Sequence, residues 1–174
     1  TPEVVYFQEK DFAKVFAGAL KTQVIMFVDN FDKDSDKIDI LRQAAKHNRK
    51  EDFFYQRLIF VAYEIGTDPE MEVAFGTISS GTVFLTSIMR EEFLRFKFKD
   101  SLTSENLIRF YTDFREKKLQ PFYLSETNHT QDVFLPDSKV LRVVAEQFRE
   151  KIVIPQMNYL VLFCSEKDNC KMAI

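Results

Sequence analysis

The sequence predicts an α/β protein: a mixed central sheet with helices on both faces. Three observations predict it. The apolar runs at 23–28 and 58–63 are continuous rather than alternating, as in strands covered on both faces. Segments of helical period alternate with them, and two later strands follow one another with no helical pattern between. A chain of 174 residues is long enough for one full domain and a remainder.

The elements follow in order. Residues 4–7 form a short apolar strand, and residues 11–20 place Phe12, Val15, Phe16 and Ala19 at helical spacing. The strand at 23–28 ends in turn-forming Asp29-Asn30. Residues 35–50 then bring Ile38, Leu41, Ala44 and Ala45 onto one helix face, with Asp at the start and Lys and Arg at the end, the polarity a helix dipole favours. A third buried strand spans 58–63. Asp68-Pro69 opens a short helix, since proline is tolerated in a first turn where no backbone N–H is needed. Strands at 82–86 and 93–98 make an antiparallel hairpin. Thr103 caps a last helix that carries Leu107, Phe110, Tyr111 and Phe114 and stops before Pro121. The order is βαβαβαββα, the thioredoxin-like architecture, with parallel pairs joined by right-handed crossovers.

The pattern lapses into polar residues and prolines between Phe122 and Ser138, which sets the domains at 1–124 and 139–174 with a linker at 125–138. Beyond it a strand at 139–144, a helical turn or two at 145–151 and a buried strand at 159–163 restart the first motif. The restart holds about a third of the residues such a domain needs to bury its own core. It therefore reads as the start of an incomplete second unit.

Composition narrows the chemistry. The net charge of −3 gives no basic face for nucleic acid phosphates. With glycines only at 18, 66, 76 and 81, no glycine-rich nucleotide loop or G-x-S-x-G elbow exists. Two histidines and two cysteines cannot close a four-ligand Cys/His zinc site. No apolar run has the length of a membrane span, and the start Thr1-Pro-Glu-Val-Val lacks both an initiator methionine and a signal-peptide pattern, so the chain reads as a piece of a longer one. Asp32-x-Asp34-x-Asp36 imitates the start of a calcium loop, but Lys37 and Gln43 stand where that loop needs Gly and Glu; it reads as a solvated, helix-capping acidic turn. No cofactor and no metal are expected.

Residues 5–27, 58–63 and 107–121 resemble the protein disulfide isomerase family, in particular its third, redox-inactive thioredoxin-like domain, called b-prime. Residues 160–171 resemble the opening of the following, normally catalytic, domain, aligned without a gap on its strand and W-C-x-x-C-K motif. That resemblance implies a lumenal protein of the endoplasmic reticulum, neighbouring thioredoxin-like domains, and an apolar patch that holds unfolded clients. The matching positions are Val28, Leu41 and Val61, with Phe31 and Ile38 nearby and Gly81 on the facing loop.

The departures from the family bear on catalysis. Lys167 occupies the position of the attacking cysteine, Glu166 replaces the tryptophan before it, and only the resolving thiol remains, as Cys170. A dithiol cycle needs two sulfurs, so this unit is expected not to be an enzyme. Ser80-Gly81-Thr82 stands where the family carries a cis-proline beside the substrate. Cys164 and Cys170 either pair in an oxidising lumen or stay as separate thiols, and the sequon Asn128-His-Thr130 is a glycan acceptor if the chain is lumenal. The expected function is a non-catalytic client-binding module. The alternatives are a structural spacer or interaction domain without a client groove, and weak thiol chemistry through Cys170.

Overall fold

The computed structural model describes residues 3–8, 10, 15, 22–51, 58–89, 92–124, 133–134, 140–155 and 157–162. The chain divides into two compact units, Thr1–Phe122 and Tyr123–Ile174.

In the first unit the order is β1 (Val5–Tyr6), β2 (Thr22–Val28), α1 (Ser35–Glu51), β3 (Ile59–Glu64), α2 (Pro69–Val73), β4 (Val83–Met89), β5 (Glu92–Lys97) and α3 (Ser104–Arg115). The strands lie side by side as β1-β3-β2-β4-β5. β3 runs parallel to β1 and β2, while β4 is antiparallel to β2 and β5. This is the predicted mixed sheet and hairpin, with strand ends shifted by a residue or a few. Of the helix expected at 11–20 only Val15 is described; it is helical and buried.

β2 explains why a strand can be apolar at every position. Val24, Met26 and Val28 face one core with Ile38, Leu41 and Ala44 of α1 and Leu107, Phe110 and Tyr111 of α3. Ile25 and Phe27 face a second core with Phe7, Val61, Tyr63, Phe75 and Phe84. Successive side chains point to opposite faces of a sheet, so a middle strand with a core on each side needs no polar residue. Gln23 is the buried exception, and it is satisfied: its amide donates to the Val15 carbonyl at 2.8 Å and accepts from the Thr86 hydroxyl at 2.7 Å.

The capping predictions hold. The Asp68 side chain accepts from the Met71 N–H at the start of α2, and that of Thr103 from the Asn106 N–H at the start of α3. Two residues past the end of α3, Lys117 has a φ of 59°, in the left-handed region, and Lys118 N–H then donates to the Asp113 carbonyl at 2.9 Å. The chain next wraps the edge of the sheet. Leu119 joins the first core and Phe122 the second, with Phe122 N–H donating to the Arg95 carbonyl of edge strand β5. A side chain strains the left-handed backbone where glycine does not. That strain is about 1–2 kcal/mol and the extra chain entropy lost by glycine offsets about 0.5–1 kcal/mol of it, so Lys117→Gly is expected to raise stability by about 0.5–1 kcal/mol, read as a higher urea midpoint at unchanged slope. A midpoint that stays or falls would show that the α3 exit is not strained.

In the second unit, β6 (Val133–Phe134) pairs antiparallel with β7 (Leu141–Arg142), followed by α4 (Ala145–Phe148) and a π-helical turn at Arg149–Val153. The 125–138 stretch read as a linker thus contributes a short strand from its β-prone Val133 and Phe134. The strand expected at 159–163 is not found over 159–162. Leu160 and Leu162 are 102% and 65% exposed, and these residues form no strand. An apolar run becomes a strand only where a neighbouring edge pairs with its N–H and C=O groups.

Candidate functional site

The site that the resemblance points to lies where β2 passes into α1, facing the loop before β4. Two backbone hydrogen bonds fix that loop to the strand: Gly81 N–H donates to the Phe27 carbonyl, and Phe27 N–H to the Thr82 carbonyl, both at 2.8 Å. Gly81 has a φ of 93°, which side-chain-bearing residues rarely adopt, and the peptide bonds of the described residues are all trans.

A partly buried polar cluster centred on Asp34 organises the turn. Asp34, 8% exposed, accepts through Oδ2 from the Asp29 and Asn30 N–H groups (2.9 and 3.3 Å) and from the Ser80 hydroxyl (2.8 Å). Its Oδ1 accepts from Lys37 Nζ at 2.7 Å, and Lys37 Nζ also donates to Ser80 Oγ at 2.6 Å. The Lys37 hydrogen bond, and then that of Ser80, hold the Asp34 carboxyl well below the usual carboxylate range against the opposing effect of burial. The same bond to Asp34 raises Lys37. Asn30 Oδ1 accepts from the Asp32 and Lys33 N–H groups, an Asx turn that tightens the approach to the helix. In the Asp32-Asp34-Asp36 pattern, then, Asp34 turns inward to its own loop while Asp32 and Asp36 remain exposed.

Two open features flank the cluster. On one side, Tyr6 and Phe31 meet edge to face with centroids 5.1 Å apart, Tyr6 being 41% exposed and Phe31 half-buried. Phe31 N–H donates to the Glu64 carboxylate, and Arg42 donates to the Tyr6 hydroxyl. On the other side, a shallow depression of about 410 Å³ is lined by Lys37, Ser80, Gly81, Lys97, Lys99 and Leu102, among others. A hollow of about 470 Å³ beneath α2, lined by Met71, Phe75, Ile88 and Phe93, lies apart from this cluster.

The predicted client-binding positions do not form one surface. Val28, Ile38 and Leu41 are at most 1% exposed in the core under α1. Val61 is fully buried in the opposite core, because the parallel register pairs it with Ile25 and so gives it the face of Ile25 rather than that of Val28. Phe31 and Gly81 are partly open. Lys167, Cys164, Cys170 and Asn128 lie outside the described residues. The Asp34–Ser80 link was not legible in sequence, whereas Asp34 and Lys37, three residues apart at a helix start, carried a visible pairing signal.

No family model matches the chain. It is 29% identical over 128 residues to protein disulfide isomerase-like 1-4 of Oryza sativa subsp. japonica, covering 72% of this chain and 22% of that protein. It is 27% identical over 128 residues to protein disulfide-isomerase of Oryctolagus cuniculus, covering 72% of this chain and 24% of that protein. The alignment thus spans under a quarter of either relative. Among solved structures, the Trx4 domain of ERdj5 superposes with a TM-score of 0.53 at 11% identity, covering 67% of this chain and 99% of that domain. The first unit has a thioredoxin-like fold. Over 128 residues the chain is similar to two protein disulfide isomerases, in line with the resemblance read from the sequence.

Proposed function

We propose that residues 1–122 form a polypeptide-binding unit without thiol chemistry, part of a protein disulfide isomerase-related chaperone of the endoplasmic reticulum lumen. The observation that carries this reading is that the thioredoxin-like unit has no cysteine, the two in the chain being Cys164 and Cys170, while the β2–α1 turn is built from an ion-paired aspartate beside a partly open aromatic pair. Thiol–disulfide exchange begins with a thiolate, which this unit cannot supply. A partly open aromatic pair instead gains area-dependent energy from many apolar sequences. Lys167-Asp-Asn-Cys170 keeps one sulfur of a two-sulfur cycle. In such a lumen Asn128 is a glycan acceptor.

Titrating the ¹⁵N-labelled chain with an unfolded apolar peptide should move the amide resonances of Tyr6, Phe31 and Gly81. Insulin reduction should be equally negligible for the native chain and for Cys170→Ser. Stationary resonances would remove the binding reading, and thiol-dependent turnover the non-catalytic one.

The burial of Val28, Ile38, Leu41 and Val61 favours a second reading, a spacer that orients neighbouring thioredoxin-like domains. A spacer gives no shifts with any peptide.

A further inference from the structure

The depression beside Gly81 opposes the charge of the chain around it. The protein carries a net −3, yet this wall gathers Lys37 of α1, Lys97 of β5 and Lys99 just beyond it. Lys37 is committed to Asp34. Lys97 Nζ lies over the rings of Phe84 and Phe122, 5.7 and 5.5 Å from their centroids, which fixes its position and leaves its positive charge uncancelled. Lys99 is exposed. Among the described residues of the wall the one carboxylate is Asp100, which accepts from Arg109 at 2.9 Å. Leu102, packed against the first core, and Phe98 add apolar surface to the same wall.

We infer that this depression selects client segments in which an Asp or Glu carboxylate stands beside an aliphatic side chain, the carboxylate answering Lys97 and Lys99 and the aliphatic group lying on Leu102. The inference rests on the binding reading above and names the class of segment it takes. Charge complementarity argues for the occupant: the lysines call for an anion, and the neighbouring apolar wall calls for a side chain that a free inorganic anion lacks. A nucleic acid calls for a broad basic face, and the net charge of the chain is −3.

The test uses the full ¹⁵N-labelled chain and three peptides, Gly-Ser-Leu-Glu-Leu-Ser-Gly and its forms with Gln or Lys at the centre, capped at both ends. At low salt the Glu peptide should bind about 3- to 5-fold more tightly than the Gln peptide, as exposed ion pairs allow, and the Lys peptide more weakly still. The preference should shrink at 0.3 M NaCl as screening shortens the reach of the lysines. Lys99→Glu, at an exposed position, should remove it, because the new carboxylate offsets the charge of Lys97. Equal affinities with shifts at Gly81 and Leu102, or a preference that Lys99→Glu leaves unchanged, would overturn the inference while the binding reading stands. No shift with any peptide would overturn both. Sodium acetate reproducing the shifts of the Glu peptide at equal concentration would reduce the depression to a small-anion site and overturn the claim about segments.

Discussion

Phe27→Ala is expected to lower the unfolding free energy by about 3–5 kcal/mol, the range for emptying a buried aromatic position. Phe27 is fully buried on the middle strand, with ring centroids 5.1 Å from Tyr63, 5.1 Å from Phe75 and 6.3 Å from Phe84. β3 and β4 are hydrogen-bonded to β2 on either side, so the sheet cannot close over the vacancy. Domains are stable by about 5–15 kcal/mol, so this one change would remove a large share. The urea midpoint should fall at nearly constant slope. The backbone of Phe27 also anchors Gly81 and Thr82, so the loop facing α1 should lose hydrogen-exchange protection in the same variant. A midpoint close to that of the native chain would contradict the central placement of β2.

Asp34→Asn keeps the shape of the side chain and removes its charge. The melting temperature at pH 7 should fall by about 5 °C, because the ammonium of Lys37 and the N–H donors of Asp29 and Asn30 lose an ionised acceptor. The pH dependence separates this from a merely structural effect. The folded-state pKa of Asp34 is depressed, so its contribution is complete above the ordinary carboxylate value of about 3.9 and is lost as pH falls from there toward the depressed value. Lys37 is shifted upward, so its contribution is complete below the ordinary lysine value of about 10.4 and is lost as pH rises beyond it. The gap between native and variant should therefore be flat between about pH 5 and pH 9 and should narrow below about pH 4. A gap of constant size down to pH 2 would show that the Asp34 charge is not what ties the turn to Ser80.

What could be read in advance followed from local chemistry. An apolar run at every position announced a strand with cores on both sides, and Val24, Met26 and Val28 do face away from Ile25 and Phe27. Asp68-Pro69 and Thr103 gave two helix starts because caps and first-turn prolines act within a few residues. The client-binding positions were less legible. Helical spacing placed Ile38 and Leu41 on one face, but spacing cannot say that α3 and the sheet close over that face completely. Residues 159–162 had the composition of a buried strand, yet they are exposed and pair with no strand among the described residues.

The sequence by itself determined the order of strands and helices from β2 to α3, the two-sided sheet and the lack of a thiol in the first unit, because periodicity, capping and composition are properties of neighbouring residues. The tertiary structure alone decided that Val61 shares a core with Phe27 rather than a surface with Val28, that Asp34 reaches Ser80 across 46 residues, and that lysines from α1 and from the end of β5 line one depression. The physical reason is register. Strand pairing is set by the summed burial of whole faces, and it brings together side chains whose separation along the chain carries no trace of their contact.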